Sequence, residues 1–366
     1  MNVMFSGGGT AGHINPAIAI AGTFRKKYPD CNIGFIGREN GSENELVKKA
    51  KIQLFTIPIS GLSRSLTFKN FSKIKEAFTA RKLAADILKD FRADVVIGTG
   101  GYVCWPVISA AADLEIPAVI HESNAAFGLT TKLLAKKCDL LLLGTDTKKT
   151  KYKNSIYTGN PVRADFAAVT RNQARQKLKI PDGKLLILSV GGSIGAKKLN
   201  DVCVETMKKY SAKHKSIYHI HSCGTRYYSE IQKTDGELCG KDKRCRIVPF
   251  IDDMATAICA SDVIITRCGA MTLAEISYCA TPAILVPSPN VTANHQYKNA
   301  LYFSEKGAAY LLEESHLSFD TLKTRLEEIL FSKNVAEAMR RKMREAAVVD
   351  ASDKIVNIIQ EKILTK

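Results

Sequence analysis

The chain has 366 residues, 45% hydrophobic and 24% charged, a globular balance with room for two domains that excludes a disordered or fibrous protein. Fifty-three Lys and Arg against 36 Asp and Glu give a formal net charge of +17, which favours polyanionic partners such as nucleic acid, anionic lipid or phosphorylated ligands. The ten cysteines form no C-x-x-C pair, so buried thiols are expected rather than a zinc site or a disulfide framework.

The first residues, Met1 to Ser6, carry no basic run, and no apolar stretch approaches the roughly 18 residues of a membrane span, so neither a signal peptide nor a transmembrane helix is expected. Val3 to Phe5 reads as a strand that breaks at Gly7-Gly8-Gly9-Thr10-Ala11-Gly12-His13, and Ile14 to Tyr28 as the helix that follows. Further strands are predicted at Asn32 to Ile36, at Asp94 to Ile97 before a second glycine loop through Tyr102, and at Ala118 to Ile120 before His121-Glu122-Ser123-Asn124. Between Arg64 and Lys82 six cations face the single Glu76, interleaved with Phe68, Phe71, Ile74 and Phe78. The alternation pauses near Gly159-Asn160-Pro161 and restarts with a strand at Leu185 to Val190 opening into Gly191-Gly192-Ser193-Ile194-Gly195. Ile217 to His221, Arg246 to Val248, Val263 to Ile265 and Ala283 to Val286 are the remaining strands, and apolar spacing in Ser352 to Leu364 predicts a last helix that packs back on the first domain.

Short β-branched runs alternating with helices predict an α/β protein: two doubly wound, Rossmann-like domains, each with a glycine loop after its first strand, facing across a cleft. The boundaries are placed at 1–161, with helix 350–366 returning to it, and at 162–349.

Glycine lets backbone N–H groups approach a phosphate at a helix N-terminus, so three such loops suggest a ligand with several phosphates. Gly7-x-Gly9-x-x-Gly12 also fits a dinucleotide fingerprint, but Arg38 and Glu39 stand where an acid would hold the ribose. His13, at the helix start, is a candidate general base, and Glu122 a second base or a ligand to sugar hydroxyls. The N–H groups of Ala270, Met271 and Thr272 can hold a diphosphate with Arg267 adding charge, and Glu275 can accept ribose hydroxyls. Asn294, His295, Gln296 and Asn299 offer groups suited to a sugar. No Asp-x-Asp occurs, which argues against metal-bridged diphosphate binding, and the reading invokes no metal or cofactor.

Gly-Gly-Thr-Ala-Gly-His-Ile-Asn-Pro, Gly-Thr-Gly-Gly-Tyr, His-Glu-Ser-Asn, Gly-Asn-Pro-Val-Arg, Gly-Gly-Ser-Ile-Gly-Ala, Phe-Ile-Asp-Asp-Met, Arg-Cys-Gly-Ala-Met-Thr and Gln-Tyr-x-Asn-Ala follow one another over residues 5 to about 310. In that order they resemble the MurG family, bacterial transferases that add N-acetylglucosamine to undecaprenyl-linked muramoyl-pentapeptide, lipid I, to make lipid II. The resemblance implies a GT-B fold and an inverting transfer from UDP-N-acetylglucosamine to the acceptor C4 hydroxyl in peptidoglycan synthesis. It implies Phe250, Ile251 and Met254 around the uracil, Glu275 on the ribose, Arg163, Ser193, Ala270, Met271 and Thr272 on the diphosphate, and Gln296 and Asn299 on the donor sugar. Thr10, Gly12 and Asn124 would reach the donor from the first domain, and Gly9, Tyr102, His13 and Glu122 would face the acceptor. Departures from the family pattern are Cys268 for a serine, His295 for a glutamine, and Ser63-Arg64-Ser65 after Gly61-Leu62.

The basic apolar segment, with Phe68, Phe71, Ile74, Phe78, Lys69, Lys73, Lys75 and Lys82, is expected to dock peripherally on an anionic membrane, the cytoplasmic face of the plasma membrane. Two rivals share parts of the pattern. A UDP-N-acetylglucosamine epimerase needs no acceptor lipid, and a nucleic-acid-binding protein explains the charge but not the paired loops; no nucleic acid is expected as partner.

Overall fold

The computed structural model describes residues 1–41, 43–61, 69–146, 150–241 and 244–365. The chain divides into two compact units, Met1–Ala164 with Val348–Lys366, and Asp165–Ala347.

The first unit holds β1 (Asn2–Ser6), β2 (Asn32–Arg38), β3 (Gln53–Ile57), β4 (Val95–Gly98), β5 (Ala118–Glu122), β6 (Leu140–Leu143) and β7 (Ser155–Tyr157), all parallel, in the order β3-β2-β1-β4-β5-β6-β7. Between them run α1 (Ala11–Lys27), α2 (Glu43–Lys49), α3 (Lys69–Phe91), α4 (Cys104–Asp113) and α5 (Leu129–Leu134). Helices on both faces bury both sides of the strands, which is why β6 is four consecutive buried leucines. One apolar layer joins Phe5, Phe24 and Phe35; the other joins Met4, Ala80, Ala84 and Leu88 of α3 to Val107 and Ile108 of α4.

The second unit repeats the plan with α6 (Arg171–Leu178), β8 (Leu185–Val190), α7 (Lys197–Lys209), β9 (Ile217–Ser222), α8 (Thr225–Lys241), β10 (Cys245–Val248), α9 (Met254–Ala260), β11 (Val263–Thr266), α10 (Ala270–Tyr278), β12 (Ala283–Leu285), α11 (His295–Glu305), β13 (Ala309–Leu311), α12 (Phe319–Phe331) and α13 (Lys333–Ala346). Its sheet is parallel, ordered β10-β9-β8-β11-β12-β13. In both sheets the order reverses beside the first strand, the point at which doubly wound sheets bind ligands beyond the strand ends.

The final helix, α14 (Ala351–Ile359), belongs to the first unit, where Ile355, Val356 and Ile359 are fully buried in the layer of Phe5 and Phe24. At about 1.5–3 kcal/mol per buried aliphatic side chain, this apolar face outweighs the partly exposed Lys27–Asp353 ion pair at 2.8 Å. Among the described residues no helix is long and apolar enough to cross a membrane.

Candidate active site

In the first unit two glycine loops interlock at the ends of β1 and β4. Gly8 N–H donates to Gly100 O at 3.3 Å, and Thr99 Oγ1 donates to His13 O at 2.6 Å. A Cβ on Gly101 (φ +85°) would lie 2.1 Å from Gly8 O, and one on Gly100 (φ +107°) 2.5 Å from His13 Nδ1. The absent side chains are therefore what seats the His13 imidazole in the first turn of α1. Thr10 caps that helix without a side-chain hydrogen bond; Gly9, Thr10 and Gly12 are exposed. The ring of Tyr102 would lie 3.3 Å from a Cβ on either Gly9 or Gly61.

One residue at this loop has no counterpart in the sequence reading. Glu43 is fully buried, its Oε1 accepts from Arg38 N at 2.8 Å, and the same oxygen lies 2.8 Å from where a Gly8 Cβ would stand. An acidic side chain packed against the first glycine loop opposes anion binding there, so of the three loops this one is the least suited to phosphate.

Glu122 is buried at the end of β5. Its Oε1 accepts from Asn124 N and Nδ2, both at 3.1 Å, and its Oε2 from Gly128 N at 3.0 Å and Thr131 Oγ1 at 2.6 Å. Four donors on one carboxylate make it the clamp that holds residues 123–131.

In the second unit an open cavity of about 620 Å³ lies at the end of β8, walled by Gly191 to Lys198 and by Arg267, Ser288, Asn290, Gln296 and Glu314. Its glycine loop interlocks as in the first unit: a Cβ on Gly224 would lie 2.2 Å from Gly195 N, while at Gly192 (φ +87°) nothing lies within 4 Å. The backbone there is open to a ligand at the start of α7, whose cap, Ala196, makes no side-chain hydrogen bond.

The cavity brings together Ser193, Arg267 and Gln296; Ile251, Met254, Ala270, Met271, Thr272, Glu275 and Asn299 lie outside its wall, and Arg163 belongs to the first unit. Three side chains are engaged differently from the sequence reading. Arg267 donates to Val286 O and Pro287 O, both at 3.2 Å, and pairs with Glu314, so its charge is already offset. Lys197 and Lys198, unnoticed in the sequence, also line the wall, where Lys197 pairs with Asp201 at 3.1 Å. Gln296 Oε1 accepts from Cys268 N at 3.2 Å and Ser288 N at 2.9 Å, and buried Asn299 donates to Cys268 O at 3.1 Å. Both amides thus position the loop before α10. Cys268 itself is buried, its thiol pushed up by burial. These amides reach only its backbone.

Glu275 is buried in α10, and Ile251 and Met254 are half-buried near the start of α9. Asp253 caps that helix, accepting from Thr256 N at 3.0 Å and from Lys177 Nζ at 2.6 Å. Burial works against its charge, but the Lys177 and Thr256 hydrogen bonds prevail and hold the carboxyl at about 2.

Between the paired strands β8 and β9, Ser189 Oγ lies 2.8 Å from both His219 Nε2 and His221 Nδ1, and Ser211 Oγ 2.9 Å from His219 Nδ1. All are buried. Burial pushes His221 down to about 4 and His219 well below its ordinary value, the neighbouring His221 adding to the latter. Unfolded histidines titrate near 6.5. Below that pH the unfolded chain takes up protons that the buried rings refuse. Stability is therefore full above about pH 6.5 and falls towards the folded values, by up to about 1.4 kcal/mol per pH unit per ring. Urea unfolding at pH 7.5 and 5.0 checks this: the midpoint falls in the wild type and falls less in His219→Gln/His221→Gln. Equal wild-type midpoints would contradict it.

Two family models match the chain: the glycosyltransferase family 28 N-terminal domain over residues 3–142 and its C-terminal domain over residues 186–355. Proteins of Acetivibrio thermocellus and Caldanaerobacter subterraneus, both named UDP-N-acetylglucosamine--N-acetylmuramyl-(pentapeptide) pyrophosphoryl-undecaprenol N-acetylglucosamine transferase, are 38% and 39% identical to it. The matches cover 99% and 98% of this chain and 98% and 99% of theirs. Among solved structures, MurG of Acinetobacter baumannii is 28% identical with a TM-score of 0.75, over 98% of this chain and 99% of that one. The UDP-GlcNAc 2-epimerase of Neisseria meningitidis, solved with UDP-GlcNAc, reaches a TM-score of 0.70 at 14% identity, over 99% and 100%, a likeness of fold alone.

Proposed function

The chain belongs to glycosyltransferase family 28, and on that premise we propose how its GT-B fold carries the reaction. It is an N-acetylglucosaminyltransferase of peptidoglycan synthesis that moves N-acetylglucosamine from UDP-N-acetylglucosamine to the C4 hydroxyl of lipid-linked N-acetylmuramyl-pentapeptide, lipid I to lipid II. The observation that carries the proposal is the open, uncapped glycine loop before α7, beside the loop that Gln296 and Asn299 hold before α10.

The second unit binds the donor. N–H groups at the starts of α7 and α10 meet the diphosphate, with Lys198 adding positive charge. Glu275 accepts from the ribose hydroxyls, Ile251 reads the uracil edge between Phe250 and Met254, and Gln296 borders the sugar. The first unit presents the acceptor beside Gly9 and Tyr102. The acceptor oxygen attacks the anomeric carbon, the bond from that carbon to the diphosphate breaks, UDP leaves, and His13 takes the hydroxyl proton. Thermal shift with competing donors tests the pocket: UDP-N-acetylglucosamine should stabilise the chain more than UDP-glucose or UDP-N-acetylgalactosamine, and NAD should have no effect. A preference for NAD would overturn the reading. Glu275→Ala should raise the donor KM roughly 10-fold, because the ribose hydroxyls lose a charged acceptor; an unchanged KM would remove Glu275 from the site.

The membrane assignment gains support from α3, though Phe68 and the side chains of Lys69, Phe71 and Ile74 lie outside the described residues. Phe78 is 55% exposed, edge-on to Trp105 with ring centroids 5.9 Å apart, and Leu83 is 40% exposed, while Ala80, Ala84 and Leu88 face the core. Lys75 and Lys82 are exposed; Lys73 instead donates to Gly61 O at 2.6 Å. This surface docks peripherally on the anionic cytoplasmic face of the plasma membrane, and the net charge serves lipid rather than nucleic acid. At about 1 kcal/mol per lysine, Lys75→Glu/Lys82→Glu should weaken partitioning to anionic vesicles by at least about 30-fold. Turnover on a short-chain soluble acceptor should stay intact. Unchanged partitioning would move the docking surface elsewhere.

A further inference from the structure

Cys259 lies in α9 and Cys279 just past the end of α10. Their sulfurs are 2.7 Å apart, and both residues are half-buried, within reach of a small reagent. The separation is longer than the roughly 2.05 Å of a disulfide. The two thiols are in direct contact but unbonded, so the sulfurs need approach by only about 0.7 Å for a bond to form.

The surroundings favour charge on one of the two. Arg171 donates to Cys259 O at 3.3 Å and Ser261 O at 2.6 Å, and reaches Asp262 at 2.6 Å. Arg175 and Arg340 meet the same carboxylate at 3.2 and 3.7 Å. Of these cations Arg171 is the one that acts on Cys259, and Asp253 and Asp165 oppose it. The Cys279 hydrogen bond, ahead of the opposing burial, and the Arg171 charge draw the Cys259 thiol down, and Cys279 is pushed up. By contrast burial pushes up Cys31, Cys104, Cys138, Cys203, Cys223 and Cys268.

We propose that Cys259 and Cys279 are a dithiol modification site, oxidised reversibly to a disulfide by low-molecular-weight disulfides, with Cys259 the attacking sulfur and Cys279 the resolving one. The Cys259 thiolate attacks one sulfur of the reagent, forming a mixed disulfide and expelling one reagent thiolate. Cys279 then gives up its proton to solvent and attacks Cys259 Sγ, breaking the mixed disulfide and releasing the second reagent thiolate. The protein loses two electrons to the reagent, which leaves as two thiols. The closed bridge ties α9 to α10. The site stands independently of the donor assignment.

The test treats the reduced full-length chain with oxidised glutathione, counts thiols after denaturation, and maps non-reduced peptides. The proposal predicts that two of the ten thiols disappear, that the bridge joins the peptides of Cys259 and Cys279, and that a dithiol reductant restores both. Cys279→Ser should stop at the mixed disulfide on Cys259, and Cys259→Ser should leave Cys279 unmodified. Retention of all ten thiols, a bridge between other cysteines, or glutathione on Cys279 in the Cys259→Ser chain would overturn it. If a variant fails to fold, the peptide map of the wild type decides.

Discussion

Replacing His13 with alanine should lower the turnover number by about 100-fold or more while UDP binds within about twofold of the wild-type affinity. General-base catalysis is worth roughly 100- to 10,000-fold, and the uracil, ribose and helix-terminus diphosphate contacts proposed for UDP lie in the other unit. Steady-state turnover and UDP titration on one preparation check the split. Near-normal turnover would reduce His13 to a positioning residue, and a large loss of UDP affinity would place it on the donor.

Gly100→Ala should reproduce much of that loss without touching the imidazole chemically. Its φ of +107° is strained for any L side chain, and the new Cβ would meet His13 Nδ1 at 2.5 Å, below any tolerated contact. The ring must move, so turnover should fall by at least about 100-fold with UDP affinity again preserved. Circular dichroism and UDP titration show whether the fold survives. A folded Gly100→Ala chain with wild-type turnover would show that the ring's seat against Gly100 is immaterial to the reaction.

What the sequence made legible is local. Leu185 to Val190 is the strand that its β-branched and leucine run predicts, and the strands before each glycine loop agree within a residue or two. β6 escaped because four leucines carry no alternation and favour helix as readily as strand. β7 and β13 are three residues each, too short for any period to register; β12, equally short, is legible only because Ala283-Ile284-Leu285-Val286 is a continuous apolar run. At the site, residue types were legible but not their partners. The sequence shows Gln296 and Asn299 only as amides suited to a sugar; that they also hold the backbone of Cys268 is set by tertiary packing alone. Glu43 gave no signal at all: an acid in the first turn of a short helix is ordinary, and only the fold sets it against Gly8. The His219 and His221 pair did leave one, since residues two apart on a strand share a face.

The most direct test of the whole account is product analysis with UDP-N-acetylglucosamine and a short-chain lipid-linked muramoyl-pentapeptide. The predicted result is a disaccharide with an inverted anomeric centre and one UDP released per acceptor consumed. Formation of UDP-N-acetylmannosamine, with the acceptor untouched, would contradict it and make the chain an epimerase on the same fold.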